Sequence, residues 1–295
     1  MPINPDTSLR DWLKSWPLAL LPHQRLSRIV RSATRWRIKW WKNLLIRVFV
    51  RHFGVDLSEA QISHPGEYPD FNSFFTRALR PGVRQIPLEP QAIACPVDGS
   101  ISQLGDIRDG SLLQAKGCEY SLQALLGGNA ERAAPFRDGE FMTLYLSPRD
   151  YHRIHMPVTG RLRETCYVPG RLFSVAPHTT RAIPGLFTRN ERLCAIFETA
   201  SGPMAMVLVG AIFVSCMETV WEGVVNPTLG QSLAIRQFPD SGTPSIELQR
   251  GQEMGRFNMG STVILLYGHD RVDWLAGLQP GDSVQMGDIL GWVLR

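Results

Sequence analysis

Three short segments of the sequence contain side chains that could carry out chemistry. The first has Asp98 followed by a glycine, between apolar stretches. The second has His152 and His155, three residues apart among charged and aromatic residues. The third has the pair Gly260 and Ser261 at the start of a β-branched run. Aspartate, histidine and serine are the residue types that serve as acids, bases, metal ligands and nucleophiles, so these segments are the first candidates for a site.

Taken singly, each segment also has an ordinary structural explanation. An aspartate before a glycine is typical of a turn. Two histidines at positions i and i+3 could share a helix face and hold a metal ion. However, no Cys or Glu cluster accompanies them, and Pro148 and Pro157 leave room for only a short turn. The Gly-Ser pair lacks the Gly-x-Ser-x-Gly pattern of a hydrolase elbow. No segment alone indicates an enzyme, and we predict no metal site.

The elements that must position these residues are mostly strands. After residues 64–66, proline and glycine recur at short intervals, and the runs between them are rich in β-branched and aromatic residues. This pattern predicts an α+β fold with a β-rich body of hybrid-barrel-like sheets. The predicted strands are 140–146, 165–168, 193–198, 204–214, 233–238 and 261–267. A helix is predicted at Tyr120–Leu126 with Ser121 as its cap, and a tight hairpin at 278–291.

The N-terminal segment differs from the body in charge and in pattern. Residues 1–55 carry a net charge of +9, whereas the rest of the chain carries −5. Residues 26–48 show helical periodicity and predict one amphipathic helix, preceded by a shorter piece at 11–21. Its predicted apolar arc is Leu26, Ile29, Val30, Ala33, Trp36, Trp40, Trp41, Leu44 and Val48. Its predicted basic side is Arg28, Arg31, Arg35, Lys39 and Lys42.

A basic amphipathic segment of this kind is typical of proteins that lie on a membrane surface. We therefore predict a membrane-association segment at 1–58 and a β-rich domain at 59–295. The ordinary alternative is a surface helix that packs on the core with its arginines in solvent. Binding to nucleic acid is disfavoured, because no common nucleic-acid module is visible.

Composition excludes several other classes of protein. The chain has 295 residues, 44% hydrophobic and 20% charged, which is typical of a globular protein. Its five cysteines are widely spaced and odd in number, which argues against a disulfide scaffold or a zinc site and for a reducing compartment. The longest apolar run, 204–214, is too short to span a bilayer, and the first 20 residues do not resemble a secretory signal.

Together, the three segments resemble one known family. Residues 259–262, Met-Gly-Ser-Thr, are similar to the Leu-Gly-Ser-Thr processing motif of phosphatidylserine decarboxylases, with methionine in place of leucine. Residues 149–157 resemble the paired-histidine motif of that family, and residues 96–99 its aspartate motif. Further segments resemble the family in the same order along the chain, namely 71–75, 114–117, 167–170, 189–192 and 218–221.

The resemblance implies an enzyme that makes its cofactor from its own chain. Ser261 attacks the carbonyl of Gly260, and the resulting ester eliminates to dehydroalanine, which hydrolyses to a pyruvoyl group. The cut separates a β-chain, 1–260, from an α-chain, 261–295. By family analogy His155 is the base and Asp98 orients it. Gly260 gives the scissile backbone a conformational freedom that other residues lack.

The resemblance also implies the reaction and the partners. The pyruvoyl carbonyl forms a Schiff base with the amine of phosphatidylserine and withdraws electrons as CO₂ leaves, which yields phosphatidylethanolamine. His152 is assigned to this stage, where it positions the head group or returns the proton, although the roles of His152 and His155 could be exchanged. The expected partners are phosphatidylserine in an anionic membrane surface and a second copy in a homodimer. The expected location is the cytoplasmic side of a bacterial inner membrane, as a peripheral protein.

Two other interpretations stay open at this point. One is a soluble pyruvoyl-dependent amino-acid decarboxylase, which would share the serine-derived cofactor but would have no use for the basic segment. The other is a membrane-binding scaffold with a lipoyl-like barrel and no catalysis. The tail has no lysine between its strands to carry lipoate or biotin.

Overall fold

A computed structural model describes residues 8–19, 21–115, 117–212, 216–225, 232–239, 245–258 and 261–294. The helices are α1 Leu9–Ala19, α2 His23–Thr34, α3 Lys39–Phe53, α4 Phe71–Phe75, α5 Leu122–Leu125, α6 Ala130–Ala133, α7 Pro177–Ala182 and α8 Leu186–Arg189, with 3₁₀ turns at Pro65–Glu67 and Ala134–Phe136. The first nine strands are β1 Ala92–Ala94, β2 Gly99–Asp106, β3 Ser111–Ala115, β4 Cys118–Ser121, β5 Glu140–Leu146, β6 Arg153–His155, β7 Gly160–Val168, β8 Arg192–Thr199 and β9 Gly202–Gly210. The other nine are β10 Met217–Thr219, β11 Gly223–Val224, β12 Ala234–Gln237, β13 Glu247–Leu248, β14 Glu253–Phe257, β15 Ser261–Tyr267, β16 Val272–Trp274, β17 Ser283–Val284 and β18 Ile289–Val293.

An antiparallel sheet forms the centre of the body. Its strands follow the order β12-β7-β8-β9-β15-β5-β2-β17, with β13 paired to β7. Strand β15 lies between β9 and β5, and each of its seven residues is paired on both sides. Smaller antiparallel sheets have the orders β11-β10-β14-β6, β1-β18-β16 and β3-β4. The predicted α+β class with a β-rich body is confirmed, and the described strands form open sheets.

The middle strands of the central sheet, β9, β15 and β5, are largely buried on both faces, whereas β12 at the edge is exposed. Along β15, Val263 and Leu265 belong to the core that the smaller β1 and β6 sheets cover, whereas Ile264 and Leu266 face the core under α5–α8. This alternation follows from the two-residue period of a strand. It explains why β15 is an uninterrupted apolar run after its first two residues, as expected for a strand without a solvent face.

The N-terminal helices pack on the body through a few specific contacts. An ion pair joins Asp11 on α1 to Arg181 on α7 at 2.8 Å. The ring of His23 meets Phe173 edge-on at 5.5 Å. An aromatic cluster anchors α3 to α4, with Phe49 against Phe71 at 5.2 Å. None of the described helices is long and apolar enough to cross a membrane.

The prediction of one helix over 26–48 was wrong. Helix α2 ends at Thr34 and α3 begins at Lys39. The indole N–H of Trp41 donates to the carbonyl of Ala33 at 2.9 Å and thereby takes up a carbonyl that a continuous helix would use itself. Lys42, predicted on the solvated basic side, is buried and donates to the carbonyl of Gly66.

The prediction of a hairpin at 278–291 was also wrong. Both Gly-Asp turns are present, since the carboxylate of Asp282 accepts from the N–H of Gln279, and that of Asp288 accepts from the N–H of Gln285. However, β17 pairs with β2, whereas β18 pairs with β1 and β16. The two tail strands therefore join different sheets and do not pair with each other.

The other local predictions agree with the structure. Strands β5 and β15 have the predicted bounds, and the remaining predicted strands overlap β7, β8, β9 and β12. The end of the predicted 204–214 strand, from residue 213, lies outside the described residues. Helix α5 is shorter than predicted, but Ser121 caps it by accepting from the N–H of Ala124.

Candidate active site

Ser261 lies at the first position of β15, a strand in which all seven residues are buried. It pairs with Leu146 on β5 and Gly210 on β9, and its side chain is fully buried. Its Oγ has no hydrogen-bond partner among the described residues. A buried hydroxyl without a partner is costly, and such groups are uncommon in folded proteins. The predicted cleavage partner, Gly260, and Met259 before it lie outside the described residues.

His152 lies close to the residues that precede and follow positions 259–260. It ends the loop that follows Leu146, the partner of Ser261, and its carbonyl accepts from the N–H of Phe257 at 3.1 Å. Its ring packs at 4.1 Å on Phe75 and is fully buried. Burial lowers the pKa of His152 to about 3, so the ring is neutral at physiological pH.

The hydrogen bond of His152 determines which ring nitrogen carries the proton. Its Nδ1 lies 2.8 Å from the carbonyl of Asp150, and a carbonyl can only accept, so Nδ1 is the donor. In the neutral ring Nε2 is then an unprotonated acceptor, and it has no partner in the part of the chain that the structure describes. His152 therefore offers a free lone pair in a dry interior.

His155 differs from His152 in having both ring nitrogens engaged. It ends strand β6, where Nδ1 donates to the carbonyl of Gly251 at 2.8 Å. The hydroxyl of Tyr151 lies 3.0 Å from Nε2 and donates to it. Burial is the largest influence on the pKa of His155 and lowers it, so this ring too is neutral. The structure thus separates the two histidines onto a loop and a strand, and no helix face carries both.

Asp98 is fixed by an arginine that the sequence analysis missed. Its carboxylate accepts from Arg84 at 3.2 and 2.6 Å and from the N–H of Met286 at 2.8 Å. No hydrogen bond joins Asp98 to His155 within the described ranges, although the N–H of His155 donates to the carbonyl of Pro96, two residues before Asp98. The negative charge of Asp98 raises the pKa of His155, but less than burial lowers it.

A glycine determines how closely Asp98 approaches the central sheet. A Cβ on Gly99 would lie 2.3 Å from the carbonyl oxygen of Tyr145, so only glycine permits β2 to pack there. The next residue, Ser100, pairs with Tyr145, one position from the partner of Ser261. The structure therefore brings Asp98, His152, His155 and Ser261 to the same end of the central sheet.

Asn258, three residues before Ser261, is a second group that the sequence analysis missed. Its fully buried side-chain amide donates to the carbonyl of Cys216 at 3.3 Å and to Glu218 at 2.9 Å. Its oxygen accepts from Asn72 on α4 at 2.8 Å. Glu218 also accepts from Arg256 at 2.9 Å. This network holds the backbone just before residues 259–260. The only sequence signal was that Asn72 and Glu218 fall in segments that resemble the family.

Comparisons with known proteins show the family of the chain. The sequence profile of phosphatidylserine decarboxylase matches residues 71–291, and a second profile, described as PSD, matches residues 13–54. The chain belongs to the phosphatidylserine decarboxylase family. The family assignment made from the motifs is therefore confirmed, and with it the expectation of a carboxy-lyase.

Several relatives with the name phosphatidylserine decarboxylase proenzyme match almost the full length of the chain. The relative from Nitrosococcus oceani is 54% identical over 97% of this chain and 93% of its own length. The one from Methylococcus capsulatus is 55% identical over 92% and 93%. The one from Pseudomonas aeruginosa is 50% identical over 96% and 98%. Both the helical segment and the β-rich body are thus shared with these decarboxylases.

Proposed function

We propose that this decarboxylase makes a pyruvoyl group from Ser261 and uses it to convert phosphatidylserine to phosphatidylethanolamine and CO₂ at a membrane surface. The observation that carries the proposal is the buried, unpartnered hydroxyl of Ser261 at the start of β15. Relatives named as proenzymes support a processing step. The names of those relatives also support the choice of phosphatidylserine as the substrate.

In the proposed processing reaction, the Oγ of Ser261 attacks the carbonyl carbon of Gly260. The peptide bond to the nitrogen of Ser261 breaks as the ester to Oγ forms. The ester then eliminates the carboxyl end of the β-chain and leaves dehydroalanine. Water replaces the nitrogen, which departs as ammonia, and a pyruvoyl group remains at the start of the α-chain. Each step uses only the chain and water.

The proposed base for this attack is His155, with Asp98 beside it. A neutral imidazole is the form that accepts a proton, and burial keeps His155 neutral. Because the Nε2 of His155 accepts from Tyr151, that hydroxyl must turn away or pass on the proton during the attack. Asp98 is held by Arg84 and lies close enough for its charge to favour the imidazolium that forms.

His152 is proposed for the decarboxylation stage. Its unpartnered Nε2 favours a contact with the substrate or with the proton that returns to carbon. The same unpartnered Nε2 could also accept the proton of Ser261. This observation favours the alternative in which His152 is the base for processing and His155 acts in decarboxylation. Variants of each histidine, compared for cutting and for turnover, decide between the two assignments.

The residues around Ser261 fit a pyruvoyl group. The group would occupy the first position of β15, held by its neighbours on β5 and β9, in a fully buried site. When present, a pyruvoyl carbonyl condenses with a primary amine and draws electrons away from the adjacent carboxylate. Burial of the site strengthens the electrostatic interactions within it.

The membrane part of the proposal is supported by the exposure of apolar side chains on α1–α3 and the loop between α2 and α3. Of fifteen exposed large hydrophobic side chains in the described part of the protein, nine lie within residues 9–53. Trp40 is 67% exposed and Trp36 51%. Contiguous apolar exposure is typical of an interaction surface, and indole rings favour the headgroup level of a bilayer. Basic residues of the same segment would meet anionic lipid.

The test is the mass of the C-terminal fragment together with a lipid-dependent assay. We expect two fragments from a cut between residues 260 and 261. The C-terminal fragment should begin with a pyruvoyl group in place of Ser261. We also expect CO₂ release from vesicles that contain phosphatidylserine, and none from free serine. Cut protein active on free amino acids would support the soluble decarboxylase, and a single intact chain would support the scaffold. The homodimer and the cytoplasmic location stay predictions.

A further inference from the structure

A cleft of about 320 Å³ lies beside the candidate active site. Its lining includes Asp150 and Tyr151, in the loop that leads to His152, together with the acids Asp56, Glu59 and Asp98. Arg77, just after α4, and Arg149 also line it. Its volume falls in the range of small-molecule sites, and its lining is charged on most sides.

Arg77 is the unusual group in this cleft. The residue is only 6% exposed. Its Nη2 donates to the carbonyls of Arg149 and Asp150 at 2.9 and 3.3 Å. Its Nε and Nη1 have no hydrogen-bond partner among the described residues. A buried guanidinium with unsatisfied donors is unfavourable, and a bound anion is one group that would supply the acceptors.

The other cations of the cleft are already paired. Arg84 forms ion pairs with Asp98 at 2.6 Å and Glu59 at 2.8 Å. Arg149 lies 3.8 Å from Asp150 and points largely into solvent. In contrast, no carboxylate of the described chain lies within ion-pair distance of Arg77. The charges of Asp98, Asp150 and Asp56 act on Arg77 from beyond ion-pair distance and oppose the lowering of its pKa by burial. Its Nε and Nη1 still have no acceptor among the described residues, so of the three arginines of the cleft Arg77 has the donors that an anion could occupy.

We infer that Arg77 binds the phosphate of the lipid headgroup in this cleft. The inference rests on the proposed function. The serine amine and carboxylate must reach residue 261 to react, whereas the phosphate is separated from them by a few bonds and can be held at a distance. Arg77 donates to the carbonyl of Asp150, which also accepts from the ring of His152, so its guanidinium lies close to that histidine. A guanidinium offers parallel N–H donors that suit phosphate oxygens.

Binding can be measured without the reaction. Calorimetry would use the Ser261→Ala proenzyme, which forms no pyruvoyl group, and glycerophosphoserine, the headgroup without acyl chains. We expect binding that weakens at least tenfold in Arg77→Met and less in Arg77→Lys. Arg250→Met is the matched control, because Arg250 also donates to backbone carbonyls but does not line this cleft. This control should bind as tightly as the parent.

Three results of the binding experiment would overturn the inference. The first is equal affinity in Arg77→Met and the parent. The second is absence of binding to the Ser261→Ala proenzyme with Arg77 intact, a result that does not depend on the folding of an Arg77 variant. The third is tighter binding of inorganic phosphate than of glycerophosphoserine, which would assign the cleft to free phosphate.

Self-cleavage and turnover separate this role from a structural one. The rate of self-cleavage before Ser261 shows whether the loop before His152 keeps its structure. With Ser261 present, Arg77→Met should cut at the normal rate and show a raised KM for phosphatidylserine, with little change in kcat. Equal losses of cutting and binding would show that Arg77 only holds the loop. If the wild type releases no CO₂ but binding still depends on Arg77, the proposed function fails and the headgroup site stands.

Discussion

Strand β15 and the loop between helices α2 and α3 differ in how far their apolar residues are exposed to solvent. All seven residues of β15 are buried and paired on both sides. In contrast, Trp36 in the loop and Trp40 at the start of α3 expose half or more of their surface. Burial around β15 makes the nearby histidines neutral and excludes water. Exposure on the helical segment leaves apolar area that only a partner can cover. One region is thus suited to chemistry and the other to docking.

The largest expected effect is on self-cleavage and activity, from a change at Ser261 on the buried strand β15. Ser261→Ala removes the hydroxyl that the proposed processing requires, so we expect one uncut chain and no decarboxylase activity. A denaturing gel and a CO₂ assay measure both. Because the side chain is buried and its Oγ has no described partner, the fold should be preserved. Two fragments cut at the same bond in this variant would refute the processing proposal.

The next effect separates the two histidines. His155→Ala and Asp98→Asn should slow cutting by about 10²–10⁴-fold, the usual contribution of a general base. His152→Ala should cut but turn over substrate poorly. Time courses of cutting and turnover provide the measurement. Fast cutting in the first two variants together with slow cutting in His152→Ala would show that His152 is the base.

On the exposed side, the Trp36→Ala/Trp40→Ala double variant should weaken binding to vesicles that contain phosphatidylserine. Each ring that leaves water contributes roughly 1.5 kcal/mol, or somewhat more than tenfold in affinity. Co-sedimentation at low and high salt measures it, and salt should weaken the electrostatic part only. The matched control is Leu88→Ala, which is 92% exposed but lies on the body. Equal loss in both variants would remove the distinction between the two regions.

The smallest effect is on stability in acid. The folded pKa of His152 is lowered from 6.5 to about 3, so the unfolded chain binds a proton that the folded chain does not. Stability therefore falls as the pH drops below about 6.5, by about 2 kcal/mol between pH 6.5 and 5 from this group. Urea unfolding of the Ser261→Ala proenzyme at these two pH values measures the change. His152→Gln should reduce the difference, and an unchanged difference would show that this histidine titrates in its usual range.

The local predictions from the sequence agreed best with the structure where short-range pattern determines structure. Strands β5 and β15 are apolar runs ended by turn residues, and both have the predicted bounds. The break between α2 and α3 was missed because helical periodicity continues across it, while the contact that stabilises it joins Trp41 to Ala33. The tail turns were recognised from their Gly-Asp pairs, but the strands that they connect pair with distant partners.

For the candidate site too, the sequence predicted the residue types but not their contacts. The residue types at Asp98, His152, His155 and Ser261 were recognised through their motifs. Their partners were not, because Arg84 meets Asp98 only through the fold, and the position of Tyr151 four residues before His155 did not by itself indicate a hydrogen bond. Arg77 likewise becomes notable only when its burial and its unused donors are known.

The position of β15 has a consequence for how the enzyme would unfold after the proposed cut. The fragment that begins at Ser261 supplies β15, β16, β17 and β18, which lie in two different sheets. A cut before Ser261 would leave these ladders in place, so the native state would look almost unchanged. Unfolding, however, would become a dissociation into two polypeptides, and its midpoint would depend on protein concentration. Under the proposed cleavage, the uncut precursor would refold as one chain, whereas the cut enzyme would have to reassemble from two polypeptides.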